Sequence, residues 1–228
     1  MEYKGMPYSW VDYYKKAFEA VSVDLELNLT EIDITKSCEI LKSKNARVVY
    51  REIEYTPEEI FTAVTAHWHK KADLSEVIAG FFKGIELKPI IYDDSVACLE
   101  YLKEKGFKIA ALTDLPTAMP DEFFKKDIID LIKYFDLYVS SLFCGFRKPS
   151  KNGLLYIADY FKTDVEELIL IGDEEKDIKT AKNAGCASIL IDRNYRENGV
   201  KNHGQDFTVY SLEEKELMKF YKGEIIKK

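Results

Sequence analysis

The stretch Ile169-Leu170-Ile171-Gly172-Asp173-Glu174-Glu175-Lys176-Asp177 decides how this chain reads. An apolar run too short for a helix enters Gly-Asp, and a second Asp follows four residues later, where helical periodicity begins. Two carboxylates are thereby set around one tight turn, and hard cations take oxygen ligands of this kind. Helix capping accounts for Asp177 but leaves Asp173 unexplained. Glu174, Glu175 and Lys176 read as solvated turn residues.

Two other segments end strand-like runs in the same way. Ala110-Ala111-Leu112-Thr113-Asp114 closes on a hydroxyl and a carboxylate, and Arg147-Lys148-Pro149 carries a fixed cation ahead of a helix start. Thr113 offers a hydroxyl and a neighbouring backbone N–H to a phosphate oxygen, although Thr and Asp also serve as plain caps and turn formers. Lys148, biased towards extended backbone by Pro149, can neutralise a phosphoryl group and a carboxylate beside it. Taken singly it reads as a surface lysine, and Arg147 as a solvated or salt-bridged neighbour. Together the three segments supply what is needed to hold a phosphoryl group next to a divalent metal.

Outward from these segments, the chain has two characters. Up to about residue 83 it is helical: Trp10, Tyr13, Tyr14, Phe18 and Val21 recur at helical spacing, as do Ile60, Phe61, Val64 and Trp68. Thr56-Pro57-Glu58-Glu59 has the cap, the first-turn proline and the third-position acid of a helix start. Beyond Pro89, short apolar strands alternate with amphipathic helices. Strands are predicted over 107–112, 137–140, 165–171 and 187–191, with helices over 95–105 and 177–183 closed by Gly106 and Gly185. The tail is expected to add an edge strand over 207–210 and a final helix. Alternation of this kind predicts an α/β fold with a doubly wound parallel sheet, in which ligands gather at the carboxyl ends of strands. The expected division is a helical subdomain, 1–88, and an α/β core, 89–228.

The 228 residues carry a net charge of −7 and 46 % hydrophobic content, enough for a substantial core. The acidic balance argues against a nucleic-acid backbone or an anionic membrane as the main partner. Cys38, Cys98, Cys144 and Cys186 lie far apart, without zinc-type spacing, and read as reduced thiols. The polar, aromatic N-terminus lacks a signal peptide's apolar core, and no run approaches a membrane span, so a cytoplasmic location is expected. His67 and His69, two apart, share no helix face and read as solvated, with Trp68 between them in the core.

The three segments resemble motifs II, III and IV of the haloacid dehalogenase-like hydrolase superfamily, over roughly residues 95–193. The helical first part is similar to the inserted cap of phosphoglycolate-phosphatase-like members. The resemblance implies that Thr113, with Asp114 beside it, binds phosphate; that Lys148 binds the phosphoryl group and takes part in catalysis; that Asp173 ligates magnesium; and that Asp177 supports the metal and the chemistry. It implies a magnesium-dependent phosphatase acting on a small phosphorylated metabolite through an aspartyl-phosphate. Dehalogenation is the lesser alternative on this fold, and the chain leaves its substrate and oligomeric state open.

The resemblance also has a gap. Family members begin with a buried strand ending in Asp-x-Asp, which carries the nucleophile, and residues 1–8 look like the linker that would follow it. Ile90-Ile91-Tyr92-Asp93-Asp94-Ser95 leads into the helix before Thr113, while Val23-Asp24-Leu25-Glu26 and Ile32-Asp33-Ile34-Thr35 fall within the helical part. None is accepted as the nucleophile. The chain is therefore expected to lack the central first strand of the sheet, to be incomplete rather than adapted, and to turn over little. The alternative is a non-catalytic relative that binds a phosphorylated ligand or a protein. In a folded chain, the strands led by Phe107 and Val165 are expected to pair directly or to stand apart across a gap.

Overall fold

The computed structural model describes residues 1–5 and 9–213. It divides into two compact units, Met1–Ile90 with Leu115–Ile128, and Ile91–Asp114 with Ile129–Lys228. Leu115–Ile128 thus joins the N-terminal helices although it follows a strand of the second unit.

The first unit is helical. A short β1 (Glu2–Tyr3) pairs antiparallel with β2 (Pro89–Ile90), and between them run α1 (Tyr14–Asp24), α2 (Glu31–Lys44), α3 (Pro57–Thr65) and α4 (Leu74–Ile85). Their starts are set locally. Thr30 with Asp33 and Thr56 with Glu59 form reciprocal capping boxes, and Asp73 caps α4 through the N–H groups of Ser75 and Glu76. Phe18, Phe61, Phe81 and Trp68 interlock edge-on or tilted in the core. The Trp68 indole N–H donates to Ser37 Oγ at 2.9 Å, and Asn45 Nδ2 donates to the Tyr14 hydroxyl at 2.7 Å. His67 is half-buried rather than solvated, because its Nε2 reaches the Asp33 carbonyl at 3.0 Å, whereas His69 is exposed.

The second unit is α/β. It opens with α5 (Asp93–Glu104) and β3 (Ala110–Thr113); α6 (Asp121–Asp127) belongs to the first unit. Then follow α7 (Ile129–Ile132), β4 (Leu137–Ser140), α8 (Ser141–Cys144), α9 (Asn152–Phe161), β5 (Ile169–Gly172), α10 (Glu175–Ala184), β6 (Ala187–Ile191), α11 (Tyr195–Asn198) and β7 (Phe207–Val209). Every strand pair in this unit is parallel.

Of the two arrangements expected for the strands after Phe107 and Val165, direct pairing does not occur: among the described residues β3 pairs with β4 alone, in the register Ala110↔Leu137 to Thr113↔Ser140, while β5, β6 and β7 form a separate sheet in that order. Among the described residues no strand lies between β3 and β5. Helices cover both sheets, and one apolar cluster joins Ala110 and Leu112 of β3, Val139 of β4, Leu170, Leu154 and Ile157 of α9, and Ala181 of α10.

Two predicted strands start later than their sequence suggests. Phe107 is 46 % exposed, and pairing begins only after the Ile109 carbonyl has accepted the N–H groups of Asp136 and Leu137. Val165–Glu167 forms a 3-10 turn, closed by Glu167 N–H to Asp164 and Leu168 N–H to Val165, which leaves the strand to Ile169–Gly172. Helix α10 ends at Gly185, whose φ of 86° is the left-handed geometry that glycine adopts without strain. The predicted final helix lies outside the described residues. Asp94, from the rejected Asp-Asp pair, is spent structurally: it accepts both terminal nitrogens of Arg193, at 2.7 and 2.8 Å, and the Leu212 N–H.

Candidate active site

Three chain segments converge where β3 and β5 end. Thr113 is the last residue of β3, Lys148 lies in the loop after α8, and Asp173 and Asp177 flank the turn from β5 into α10. The centre is Lys148, whose Nζ lies 2.5 Å from Asp177 Oδ1 and whose backbone N–H donates to Asp114 Oδ1 at 2.9 Å. Asp114 Oδ2 pairs with Lys176 Nζ at 3.1 Å, and Lys176 also reaches Glu174 at 3.3 Å. A continuous polar circuit thus joins the carboxyl ends of two strands that share no ladder.

The turn at Gly172 explains how Asp177 comes to be buried. Its Oδ2 accepts the N–H groups of Asp173 at 3.1 Å and Glu174 at 2.9 Å, completing a capping box with Glu174. A Cβ on residue 172 would overlap the Asp177 carboxylate, so glycine is required there by close approach. Asp177 therefore caps the helix and holds Lys148 at once, using both oxygens on the protein.

Burial works against charge here, and the pairs decide the outcome. For Lys148, burial favours the neutral amine, but Asp177 and Asp114 outweigh it and hold the ammonium above its usual range. For Asp114, burial pushes upward, and Lys148, Lys176 and Arg147 together bring it below the usual carboxylate range. Asp173 goes the other way: burial, then the like charges of Asp177 and Glu174, raise it. Because Asp173 is exposed on its outer side, solvent moderates that push.

Lys176 differs from its sequence reading, and one of the two readings of Arg147 falls away. Lys176 is not a solvated turn residue, since its side chain is only 22 % exposed and pairs with two carboxylates. A sequence signal existed: a lysine in the first turn of a helix opposes the helix dipole unless acids meet it. Arg147, read as solvated or salt-bridged, is not solvated: it is buried, at 5 % exposure, and its charge acts on Asp114. Glu175, by contrast, is exposed and pairs with Lys179 at 2.7 Å.

Among the described residues no three His, Cys, Asp or Glu side chains form a closed metal cage. The donor chemistry nonetheless fits magnesium, which keeps several waters and takes one or two carboxylates plus substrate phosphate. Asp173 is exposed, and a divalent cation beside it would offset the like charges of Asp177 and Glu174 that help to raise it.

The fold is a parallel α/β core with charged side chains gathered at the carboxyl ends of its strands, and the chain carries a helical unit besides. A family model described as haloacid dehalogenase-like hydrolase matches residues 9–185, and the chain belongs to that family. The phosphoglycolate phosphatase of Aquifex aeolicus (strain VF5) is 29 % identical over 178 residues, 72 % of this chain and 81 % of that protein. That of Vibrio parahaemolyticus is 30 % identical over 132 residues, and the match spans only about half of that relative's length, 54 %. Solved structures share the fold: a phosphatase of the same family from Thermococcus onnurineus (TM-score 0.59, 18 % identity, 92 % of this chain and 88 % of that one). A second is a 2-haloacid dehalogenase from Pseudomonas syringae pv. Tomato (TM-score 0.62, 16 % identity, 93 % and 91 %). Among the described residues no helix is long and apolar enough to cross a membrane, and no disulfide joins any of the four cysteines.

Proposed function

We propose that this chain carries the phosphate- and magnesium-binding half of a phosphatase site for a small phosphorylated metabolite in the cytoplasm. The observation that supports it is Lys148, an ammonium held between Asp114 and Asp177 at the converging ends of β3 and β5, the first of which ends in Thr113. Lys148 and the Thr113 hydroxyl meet the phosphoryl oxygens. Asp114 anchors the Lys148 backbone instead of touching an anion, because its own charge would repel one. Asp173 holds magnesium with water completing the shell, and Asp177 orients Lys148. Magnesium, when bound, neutralises charge on the phosphoryl oxygens. The names of the curated relatives make phosphoglycolate the first substrate to try.

For the 228 residues themselves the reading is binding with little turnover, since among the described residues no strand between β3 and β5 presents a carboxylate nucleophile. Calorimetric titration with tungstate, a phosphate mimic, in the presence of magnesium tests the site. Binding is expected, weakened about tenfold or more by Lys148→Ala, in line with loss of a charged contact; no binding by the unaltered chain overturns the reading. Hydrolysis of phosphoglycolate or p-nitrophenyl phosphate that Asp173→Asn abolishes would overturn the low-turnover part alone.

A further inference from the structure

Lys176 stands where a lysine is least favoured. It lies in the first turn of α10, where the helix dipole opposes a cation, and the capping box of Glu174 and Asp177 fixes its backbone. Its carbonyl accepts the Thr180 hydroxyl at 2.7 Å, while its side chain leaves the helix for Asp114, just beyond the end of β3. Glu174, which it also reaches at 3.3 Å, is 28 % exposed and better screened by solvent, so the charge of Lys176 acts chiefly on Asp114.

Asp114 is the residue of the site that needs explaining. It follows Thr113, its side chain is 6 % exposed, and both of its oxygens are engaged, Oδ1 by the Lys148 N–H at 2.9 Å and Oδ2 by Lys176 Nζ at 3.1 Å. Lys148, Lys176 and Arg147 overcome the burial that favours its protonated form, so it stays ionised. A buried carboxylate next to an anion site repels the anion, and weak screening lets that repulsion act across several ångströms. An amide in its place would accept the Lys148 N–H without the charge.

The charges of the circuit make the same point. Lys148, Lys176 and Arg147 stand against Asp114, Asp173, Glu174 and Asp177, three cations to four carboxylates. Lys148 Nζ is already committed to Asp177 at 2.5 Å. With a divalent cation at Asp173 the set carries one net positive charge, and with Lys176 removed it would carry none.

We propose that Lys176 is a positioning residue of the anion site: it neutralises Asp114, so that Asp114 holds the Lys148 backbone without turning away a phosphate-type anion from Lys148 and Thr113. Lys176 acts through Asp114 and does not touch the anion, and the two side chains together serve as one neutral amide would. This inference rests on the phosphate-binding reading and assigns the charge balance on which it depends.

Tungstate titration of the 228-residue chain in magnesium, followed by calorimetry, separates charge compensation from simple support. Lys176→Gln keeps a donor for Asp114 without the charge, and Lys176→Arg keeps both. The Gln variant is expected to bind about tenfold more weakly, and the Arg variant to recover the affinity. Asp114→Asn added to Lys176→Gln restores binding, because the uncompensated carboxylate is gone, and Asp114→Asn alone binds more tightly than the unaltered chain. Affinity of Lys176→Gln equal to that of the unaltered chain overturns the proposal and leaves phosphate binding standing, as does a double variant that melts normally but stays weak. Should the Lys176 variants not fold, Asp114→Asn alone decides, and binding weaker than that of the unaltered chain overturns the proposal. No tungstate binding by the unaltered chain overturns the phosphate-binding reading and this inference with it.

Discussion

Replacing Lys148 by methionine removes the cation from the centre of the site while keeping most of its apolar stem. The Lys148 and Asp177 side chains are 13 % and 4 % exposed, so solvent screens the pair weakly. Breaking a buried pair by deleting one partner costs ~3–5 kcal/mol, because the other charge is left uncompensated. Here the lower end applies, since Asp177 keeps the N–H groups of Asp173 and Glu174, and Asp114 keeps Lys176. The expected loss is therefore about 3 kcal/mol. In a chain of this size that corresponds to a fall in Tm of about 6–12 °C. The second unit can be followed separately, because both tryptophans, Trp10 and Trp68, lie in the first. Urea unfolding should show an earlier transition by hydrogen exchange in β4 and β6, with the tryptophan fluorescence transition unmoved. Asp177→Asn in the Lys148→Met background keeps the acceptor for both N–H groups and removes the stranded charge, so it should recover most of the loss. A single-variant cost below ~1 kcal/mol, the level of an exposed pair, or a double variant weaker than the single, would refute the argument.

Four further outcomes are expected. Gly172→Ala forces the Asp177 carboxylate to move, costing about 1–3 kcal/mol by overpacking and weakening tungstate binding; unchanged melting and binding would show that the turn relaxes freely. Asp173 has a raised pKa, so the folded state holds its proton more tightly than the unfolded chain, and its ionised form disfavours folding above that window. Asp173→Asn should therefore raise Tm at neutral pH, with the gain vanishing below about pH 4, and magnesium should raise the Tm of the unaltered chain but not of the variant. Cys98 and Cys186 are buried, and burial pushes both thiols up to about 11, so native labelling with a disulfide reagent should be slow and become fast in urea. Asn45→Ala leaves the buried Tyr14 hydroxyl without its donor, at a cost of about 1–3 kcal/mol visible in the tryptophan fluorescence transition of the first unit.

Much of this was legible along the chain because it is governed by near neighbours. The capping box at Thr56 needs only Glu59, and the stop at Gly185 needs only its own backbone freedom. β4 and β6 begin and end where their apolar runs do, because neighbours in the sheet and the covering helices bury them. Thr113, Lys148, Asp173 and Asp177 stood out because each follows an apolar run or begins a helix, the positions where a parallel fold gathers ligands. Val165–Glu167 was misjudged: its apolar residue matches a strand, but the N–H groups of Glu167 and Leu168 turn back to the carbonyls of Asp164 and Val165.

The sequence by itself determined the class of fold and the residues at the strand ends. Only the tertiary structure decided what those residues do to one another. That Asp177 caps a helix with one oxygen and holds Lys148 with the other depends on segments 29 positions apart, and the Lys148–Asp114 contact on segments 34 apart. No local pattern encodes a distance of that kind, since it is set by how α9 and α10 pack β3 and β5 over one apolar cluster. The separation of β3 from β5 is of the same origin: apolar strands look alike in sequence whatever they pair with, and only the assembled structure shows which strands share a ladder.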